Sequence, residues 1–511
     1  SSKLSSSLWG SCFGQSLSGG LDVKTESVTD GYKITLTPVS GALNLTQACT
    51  LMYDLNTSQI LKARAGGDDG YAHNVIISSM TIDGVNTPIN STCAATGCKD
   101  PGNGYVNAGY YAQWAVWDRE YNPNSMPFAS INDIIYAFIG FDKDTGNLAS
   151  LDGNADSWSI PVVSKAILQN PYMHAHLSFG GWTNNQVNTA PMFLKLSSSQ
   201  ASMQNFATQA VALMKKTKFS GLDIDWEWWS EPEQAPAKQM LSFYKILRAE
   251  LDKAGAADGK HYTLTIAVNA GVDRVNAMQD PSNPNSVADY WKQVNTLVDQ
   301  INLMSYDYHG AYDNSKPAYF HANYDFANIP LDKQADVGQT SGWSIKAVVA
   351  AYQANGITAK KLVLGLPAYA RTMSVSGGTN GGLLQAVSGA GFGDYEAGVL
   401  DYKCLVNPVA DKANGCKNVS AGLSDLVFYN SKATGTALSA FNTYGRDAMQ
   451  PWAYSPSTNT FVTFDDTWSV TAKTKAAKDS GLGGMMFWEL DGDSNTPQLS
   501  LIKAVKDELN R

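Results

Sequence analysis

The chain has 511 residues, and 44% of them are hydrophobic, which is enough for one large core or for up to about three domains. Only 16% are charged, and 46 acidic against 37 basic side chains leave a formal net charge of −9. This balance excludes binding to nucleic acid or to an anionic membrane by charge alone, and no apolar run approaches the roughly 18 residues of a membrane span.

Aromatic side chains are abundant, with 13 Trp, 24 Tyr and 17 Phe. Broad aromatic faces with few charges suit a neutral ligand that has apolar faces of its own, such as a sugar polymer. Tryptophan also fills protein cores, so composition alone only favours this class of ligand.

Residues 1–100 contain short runs in which apolar and polar residues alternate, for example in Tyr32–Thr37 and Asn74–Ser78. Clusters of Gly, Asp and Asn separate these runs, and no long helical period occurs. Alternation with a period of two is typical of a half-buried β-strand. We therefore predict a small all-β sandwich as the amino-terminal domain.

From about residue 101 the pattern changes to strand, loop and helix in repetition, which is typical of a parallel sheet. Between two of the strands, Met240, Phe243, Tyr244, Leu247 and Leu251 recur at steps of three and four, as in an amphipathic helix. Eight such strands predict a (β/α)8 TIM barrel over residues 101–511. The candidate strands are Ala108–Gln113, Asp133–Phe138, Met173–Phe179, Gly221–Trp226, Tyr262–Val268, Gln300–Ser305, Leu362–Leu366 and Gly484–Phe487.

The seventh and eighth candidate strands are too far apart in the sequence for a single connecting helix. Residues 372–450 between them contain Gly-rich turns and two cysteines, and they predict an α+β insertion within the barrel. Because the loops after barrel strands form the active face, an insertion there would wall a cleft.

Six cysteines in a chain of low charge that is rich in Ser, Thr and Asn favour disulfide bonds and secretion. Buried free thiols in a cytosolic protein are the alternative. Zinc is not expected, because no two cysteines have the Cys-x-x-Cys spacing. Proximity in the sequence favours two pairs and leaves a third: Cys93–Cys98, Cys404–Cys416 and Cys12–Cys49.

The segment Phe219–Trp229 carries acids at alternate positions, Asp223, Asp225 and Glu227. On a strand these three carboxylates share one face, which would point into the barrel while the apolar neighbours face the helices. Burial and mutual repulsion raise the pKa of at least one carboxyl, so a proton must be shared. Glu227 lies at the carboxyl end of the strand, where barrel chemistry occurs, and is the candidate general acid.

Two other interpretations fit the same acids. An exposed acidic edge strand is disfavoured by the bulky apolar residues around them. An Asp-x-Asp-x-Glu array can also coordinate Mg²⁺ or Ca²⁺, and His174 and His176 could add ligands. We expect these two histidines to be hydrogen-bonded residues of the barrel interior instead, and we expect no metal.

The acidic segment resembles the signature of family 18 glycoside hydrolases, the chitinases, which is usually Asp-Gly-x-Asp-x-Asp-x-Glu. Here it runs Ser220-Gly-Leu-Asp223-Ile-Asp225-Trp-Glu227. Ser220 replaces the first acid, which in the family belongs to a buried proton-sharing chain behind the site. Further motifs of the family follow in its order: Ser178-Phe-Gly-Gly-Trp182, Met304-Ser-Tyr-Asp307, Tyr369-Ala-Arg371 and Trp488-Glu-Leu-Asp491.

The resemblance narrows to the chitinase A type through Tyr110-Tyr-Ala-Gln-Trp114, Glu396–Tyr402 and Thr463–Asp466. Enzymes of that type carry an immunoglobulin-like or fibronectin III-like domain before the barrel and an insertion before its eighth strand. One departure is Tyr395, where that subfamily has Trp. The resemblance covers about residues 105–511, and the first hundred residues agree with it only in placement and in one cysteine pair.

The resemblance implies retaining hydrolysis in which the substrate's own N-acetyl group attacks the anomeric carbon. It makes Glu227 the general acid and base, Asp225 the group that orients the acetamido N–H, and Asp223 its partner in sharing a proton. Tyr306 would donate to the acetamido oxygen, and Asp307 would position a sugar. Substrate contacts would come from Tyr110, Trp114, Trp182, Met304, Tyr312, Tyr369, Arg371, Tyr395, Glu396 and Trp488.

We therefore expect a secreted, monomeric chitinase without a cofactor, which binds chitin and chitooligosaccharides and has a polymer-guiding amino-terminal domain. Two other functions fit the same barrel. One is an endo-β-N-acetylglucosaminidase that acts on glycoprotein N-glycans, against which the insertion and the chitinase A-like aromatics argue. The other is a non-catalytic chitin-binding lectin, which would usually have lost the acid at Glu227.

Overall fold

The computed structural model describes residues 99–228, 235–407, 416 and 422–511, together with the backbone of several strands before residue 99. These strands are Ser2–Leu4, Ser18–Val28, Gly31–Ser40, Cys49–Asp54, Gln59–Ala65, Asn74–Val75, Ser79–Ile82 and Val85–Pro88, and they pair in antiparallel fashion. The packing of the predicted sandwich lies outside the described residues, as do Cys12, Cys93, Cys98 and the side chain of Cys49. The domain at 1–100 and those two disulfides therefore stay predictions.

Eight parallel strands close into a barrel, in which the last strand pairs with the first. They are β1 (Val106–Ala112), β2 (Asp133–Ala137), β3 (His174–Gly180), β4 (Gly221–Asp225), β5 (Thr263–Asn269), β6 (Gln300–Met304), β7 (Leu362–Pro367) and β8 (Gly484–Trp488). Each of them overlaps one predicted strand, so the predicted TIM barrel is confirmed.

Helices connect the strands around the outside of the barrel. The helix Ala237–Asp258 shows why: its apolar residues from Met240 to Leu251 form one buried stripe, and Gly259 ends it in the left-handed conformation with φ of 64°. Within the described residues, no helix is both long and apolar enough to cross a bilayer. The other helices of the barrel are Gly153–Gln169, Thr189–Ser197, Gln200–Thr217, Val272–Ala277, Tyr290–Leu297, Ile345–Ala354, Thr467–Asp479 and Leu501–Leu509.

The barrel interior is apolar on one side and polar on the other. Ala108, Ile135, Val363 and Met486 form a buried apolar cluster between β1, β2, β7 and β8. On the opposite side the interior residues of β3, β4 and β5 carry hydroxyls and carboxylates. In the strand register Ser178, Asp223 and Thr265 are direct neighbours on these three strands, so they lie at one level of the barrel.

The chain between β7 and β8 forms an antiparallel sheet, which we call the inserted sheet. Its first strand, Tyr369–Val375, begins directly after β7, and the disulfide Cys404–Cys416 confirms one predicted pair. The limits 372 and 450 of a separate subdomain stay a prediction. The remaining strands are Val387–Ala390, Val399–Asp401, Val427–Tyr429, Trp452–Ser455 and Thr460–Thr463, with short helices at Tyr402–Val406 and Gly435–Ala440.

Candidate active site

Asp223 is the centre of the polar group inside the barrel. Its Oδ1 accepts a hydrogen bond from Thr265 Oγ1 at 2.6 Å, and its Oδ2 accepts from Ser178 Oγ at 2.7 Å and from the Tyr110 hydroxyl at 3.0 Å. Ser178 and Thr265 lie beside it on the neighbouring strands, whereas Tyr110 reaches across the interior from β1. This carboxyl is fully buried, and three hydroxyl donors hold it in place.

Asp225 ends β4 and shares the Tyr110 hydroxyl, which lies 2.9 Å from its Oδ1. Burial raises the pKa of Asp225 well above its usual range, and the charge of Asp223 and a hydrogen bond to it add to this shift. The Tyr110 hydroxyl has one hydrogen and can donate it to only one of the two carboxyl groups at a time. A further proton, shared between the two aspartates, provides the remaining hydrogen bond. The pair therefore carries close to one negative charge instead of two.

Two glycines let the end of β3 approach Asp225 closely. The Gly181 N–H donates to the carbonyl oxygen of Asp225 at 2.9 Å, and Gly180 has a φ of 111°. A Cβ at Gly180 would lie only 2.1 Å from that carbonyl oxygen. A side chain at position 180 would therefore push the backbone of Asp225 away from its place.

Glu227 follows the carboxyl end of β4 and is half-buried. Burial and the negative charge of Asp307 raise its pKa to about 8. The indole rings of Trp226 and Trp228, on either side of it in the sequence, are buried and fix the local backbone. A carboxyl that keeps its proton at neutral pH can donate it to a leaving oxygen.

Asp307 lies in the loop after β6, with a left-handed backbone at φ of 61°. Its Oδ1 accepts from the Tyr369 hydroxyl at 2.7 Å and from Arg371 Nε at 2.8 Å. Burial pushes the pKa of Asp307 upward, but the Arg371 guanidinium holds it well below its ordinary range. An anion thus faces the protonated Glu227.

Tyr306 precedes Asp307, and its ring meets that of Tyr369 edge-on at 6.2 Å. Burial raises the pKa of the Tyr306 phenol well above its usual value, and the charges of Asp307 and Asp225 add to the shift. The phenol therefore keeps its hydrogen and can act as a donor. Met304, at the end of β6, is half-buried just before it.

Tryptophans stand at the carboxyl ends of three strands. Trp488 ends β8 and packs against Tyr110 at 5.2 Å, Phe138 at 6.0 Å and Trp114 at 6.1 Å between ring centroids. Trp114, after β1, is 39% exposed, and Trp182, after β3, is 53% exposed. All three lie on the side of the barrel that carries Asp225 and Glu227, where flat apolar faces can meet a ligand.

Tyr312 belongs to the same group as Asp307. Its hydroxyl donates to the Asp307 carbonyl oxygen at 2.5 Å, and the Arg371 guanidinium lies 5.7 Å from its ring centroid. The ring is 54% exposed, so one face is open to a ligand.

Tyr395 and Glu396 lie in the chain between β7 and β8, and Tyr395 contacts the loop after β1. The Arg119 guanidinium lies 4.1 Å from the centroid of the Tyr395 ring, and the Tyr395 hydroxyl donates to the carbonyl oxygen of Asp118 at 3.1 Å. Glu396 is exposed, and its backbone pairs with Val399. The contacts of Tyr395 join the inserted sheet to the loop after β1.

Arg119 connects three parts of the protein. Its Nε lies 3.1 Å from Asp401 Oδ2 on the inserted sheet and 3.1 Å from Asp491 Oδ2 in the loop after β8. Burial raises the pKa of Asp491 to about 6 in spite of this cation. Burial and the neighbouring Asp491 raise the pKa of Glu489 well above its usual range. One guanidinium thus balances a dense group of carboxyls beside Trp488.

The two histidines of β3 have different environments. His176 is buried, with Nδ1 2.8 Å from Asp133 Oδ1 and Nε2 2.6 Å from Thr263 Oγ1, as predicted for an interior histidine. His174 is exposed at the start of the strand, so the same prediction was wrong for it. Both precede Ser178 on β3 and lie toward the opposite end of the barrel from Asp225. They line a cavity of about 320 Å³ there.

No clear metal site emerges from the described acids, histidines and cysteines. Within that part of the chain, ligand atoms converge closely enough to share an ion only at Asp394, Asp401 and Cys404. The Cys404 sulfur is bonded to Cys416 and is not a thiolate ligand.

Ser220 directly precedes β4, and its side chain contacts the backbone of β3. Its Oγ accepts from the Ala175 N–H at 3.1 Å. Because side chains alternate along a strand, position 220 faces the opposite way from Asp223 and Asp225. Ser220 is therefore not part of the polar group inside the barrel. The hydroxyls of Ser178, Thr265 and Tyr110 form the surroundings of Asp223 instead.

Three residues of this site were not predicted. Thr265 could have been found from the alternation along β5, because it lies one strand from Asp223 at the same level. Arg119 and His321 come from loops, where no period links them to the acids.

Comparison with known proteins agrees with this geometry. The sequence matches the family model for glycosyl hydrolases family 18 over residues 106–493, from β1 to the loop after β8. Chitinase 1 of Aphanocladium album is 30% identical over 434 residues, which cover 81% of this chain and 87% of that protein. Chitinase A1 of Niallia circulans is 27% identical over 454 residues, covering 78% and 58%. The chain therefore belongs to glycosyl hydrolase family 18 and is a glycoside hydrolase.

Solved structures share the fold. The Group IV chitinase of Ostrinia furnacalis has a TM-score of 0.62 at 22% identity, covering 80% of this chain and all (100%) of that one. A class V chitinase from Nicotiana tobaccum has a TM-score of 0.61 at 20% identity, covering 80% and 99%. At these identities the likeness is evidence for the barrel alone.

Proposed function

We propose that this protein is a chitinase, which hydrolyses the β-1,4 linkages between N-acetylglucosamine units of chitin and chitooligosaccharides. The family and the relatives named chitinase support this substrate. A tobacco class V chitinase of the same fold has been solved in complex with NAG4. The observation that carries the proposal is Glu227, whose pKa of about 8 keeps it protonated directly after the paired Asp223 and Asp225.

In the proposed reaction Glu227 gives its proton to the glycosidic oxygen, and the bond from that oxygen to the anomeric carbon breaks. The carbonyl oxygen of the substrate's acetamido group forms a bond to the anomeric carbon and gives an oxazolinium ion. Water then attacks the anomeric carbon while Glu227 takes a proton from the water, and the oxazolinium ring opens. Two inversions leave the configuration retained.

Asp225 would accept a hydrogen bond from the acetamido N–H and balance the positive charge of the oxazolinium ion. Asp223, which three hydroxyl donors hold in place, would share the common proton of the pair with Asp225. In enzymes, one well-placed donor that stabilises a developing charge lowers the activation barrier by about 3 kcal/mol. Tyr306 would donate to the acetamido oxygen, and Asp307 would hold the neighbouring sugar.

Sugar rings would stack on the aromatic side chains along the cleft. We assign Trp114, Trp182 and Trp488 to this role because they stand at the carboxyl ends of β1, β3 and β8 with exposed or half-buried faces. The remaining substrate contacts are proposed at Tyr110, Met304, Tyr312, Tyr369, Arg371, Tyr395 and Glu396.

We propose an extracellular, monomeric enzyme that needs no cofactor. The disulfide Cys404–Cys416 supports this location, because such bonds persist in oxidising surroundings. Residues 1–100 would guide the polymer toward the barrel.

The variant Glu227→Gln tests the proposal. It should lower kcat on chitohexaose by about a thousandfold or more, because the amide has no acidic proton to transfer, while chitohexaose binding stays measurable by calorimetry. NMR of the first products of the wild type should show the β-anomer. The matched control Glu250→Gln, on the helix after β4, should keep normal turnover.

Near-normal turnover by Glu227→Gln, or an α-anomer as first product, would contradict the mechanism. Release of N-glycans from a high-mannose glycoprotein at a higher rate than chitohexaose cleavage would reassign the substrate. Binding of chitin without any chitobiose release would make the protein a lectin.

A further inference from the structure

His321 is fully buried and contacts the loop that carries Tyr306 and Asp307, although none of the roles above uses it. The Asp307 N–H donates to His321 Nδ1 at 3.2 Å, and the Tyr308 N–H donates to the His321 carbonyl oxygen at 3.0 Å. One histidine therefore accepts hydrogen bonds from two consecutive peptide groups.

These two bonds span the left-handed kink at Asp307. A residue other than glycine adopts a φ of 61° only when its surroundings hold it there. On one side of the kink the Asp307 carboxylate turns to Tyr369 and Arg371. On the other side the Tyr306 hydroxyl reaches into the barrel, to 4.0 Å from Met486 Sδ. The kink thus sets the directions of both side chains.

The hydrogen bond from Asp307 fixes the protonation of His321. Nδ1 must be unprotonated to accept it, so the ring hydrogen is on Nε2. Among the described residues Nε2 has no hydrogen-bond partner, and burial lowers the pKa of His321 although Asp307 Oδ1 lies 3.7 Å away. His321 is therefore a neutral acceptor.

His321 is itself anchored on its far side. Its N–H donates to Thr463 Oγ1 at 3.1 Å, on the last strand of the inserted sheet, and its ring packs against Tyr369 at 5.4 Å. Besides Asp307, the charged groups that face it are Arg371 and Asp465. Asp465 is paired with the buried Lys473 at 2.6 Å.

We propose that His321 is a positioning residue for hydrolysis, which holds the backbone at Asp307 and thereby places Tyr306 and Asp307 relative to Glu227. This inference rests on the proposed roles of those three residues. His321 itself touches neither the substrate nor the reacting atoms in this scheme.

Two substitutions separate the acceptor from the bulk of the ring. In His321→Asn the amide oxygen can accept the Asp307 N–H, whereas His321→Leu fills the space without an acceptor. We expect the Leu variant to lower kcat on chitohexaose by about tenfold or more, with a smaller change in KM. We also expect the alkaline limb of its pH profile to move to lower pH, because the charge of Asp307 no longer lies as close to Glu227. The Asn variant should keep most of kcat and the wild-type limb.

A matched control is His309→Leu. His309 is equally buried nearby, but its nitrogens contact Asp313 and the Val337 carbonyl oxygen instead. This variant should lower Tm and leave the alkaline limb in place. Thr463→Val, which removes the anchor of His321, should move kcat and the limb in the same direction as the Leu variant.

The proposal is overturned if His321→Leu keeps the wild-type kcat and limb, if His309→Leu moves the limb equally, or if the Asn variant behaves like the Leu variant. Should His321→Leu fail to fold, an unchanged limb in Thr463→Val overturns it. An inactive Glu227→Gln beside an unaffected His321→Leu refutes this inference alone, whereas an active Glu227→Gln refutes the proposed function.

Discussion

Tyr110 and Asp225 are joined by a hydrogen bond of 2.9 Å that crosses the barrel interior from β1 to β4. The same hydroxyl lies 3.0 Å from Asp223, so one phenol connects both members of the carboxyl pair. No other side chain among the described residues donates to both. The protonation of the pair should therefore respond to the loss of this single hydroxyl.

The variant Tyr110→Phe tests that response. We expect kcat to fall about 10- to 100-fold with the fold intact, since a hydrogen bond to a charged group contributes about 1.5–3 kcal/mol. The adjacent Tyr111→Phe is the matched control, because its hydroxyl contacts Ser159 on the outside of the barrel. Steady-state kinetics on chitohexaose with Tm as a check on folding distinguish the two, and equal losses in both variants would argue against a role for Tyr110.

The pKa of Glu227 predicts the alkaline limb of activity. With that pKa at about 8, kcat/KM should stay level through neutral pH and fall above it as the acid form is lost. Asp307→Asn removes an anion that raises this pKa, so the limb should move to lower pH.

The pH dependence of kcat/KM on a soluble chitin oligomer measures this shift. Asp144→Asn is the control, because Asp144 is a surface acid paired with Lys143. A limb that stays in place in Asp307→Asn, or moves upward, is incompatible with the electrostatic coupling of Asp307 and Glu227.

Exposed tryptophans of one loop should differ in their effect on binding. Trp114 is 39% exposed beside Trp488, whereas Trp117 is 45% exposed but donates to Asp152 and packs on Trp158. We expect Trp114→Ala to weaken chitohexaose binding by about tenfold, or roughly 1.4 kcal/mol, and Trp117→Ala to leave it unchanged. Calorimetry in the Glu227→Gln background measures both, and equal weakening would place the cleft elsewhere.

Arg119→Met should destabilise the fold in a pH-dependent way. Removal of the guanidinium leaves Asp401 and Asp491 buried without the cation that lies between their carboxylates, at a cost of about 3–5 kcal/mol near pH 7.5. With the pKa of Asp491 raised to about 6, acidification to pH 5 protonates it and should restore part of that stability.

Thermal unfolding at the two pH values checks this prediction. Arg446→Met, at an exposed arginine whose Nε contacts Asn442, should lower Tm little at either pH. A loss in Arg119→Met that is equal at both pH values would show that packing, and not charge, is what Arg119 contributes.

The sequence was sufficient for the parts of the site that lie on strands. Asp223 and Asp225 share a face because of the two-residue period, and Trp488 could be placed at a strand end from the alternation of strand and helix. Long-range contacts of loops have no such period. His321 contacts Asp307 only because the loop after β6 returns along the inserted sheet. Arg119 and Asp401 are likewise far apart in the sequence and come into contact only in the folded chain.

The direction of a side chain within a loop could not be predicted from the sequence pattern either. The resemblance predicts a substrate contact at Tyr395, and no pattern in the sequence indicates the contacts of this side chain with Arg119 and Asp118. His174 and His176 share a face by alternation, but the first lies at the strand end, where water reaches it. Pattern fixes which face a residue occupies, whereas depth along the barrel axis depends on where neighbouring strands begin.

The inserted sheet begins with the strand that holds Asp307, since Tyr369 and Arg371 both lie on Tyr369–Val375. In the proposed function this part of the chain walls the substrate groove, and shortening it would be the way to make that groove shallower. A deletion that starts directly after β7 would remove both hydrogen-bond partners of the Asp307 carboxylate, Tyr369 and Arg371. A cut confined to the edge strand Val427–Tyr429, which pairs with Trp452–Ser455 and not with the strand of Tyr369 and Arg371, would spare both of these residues.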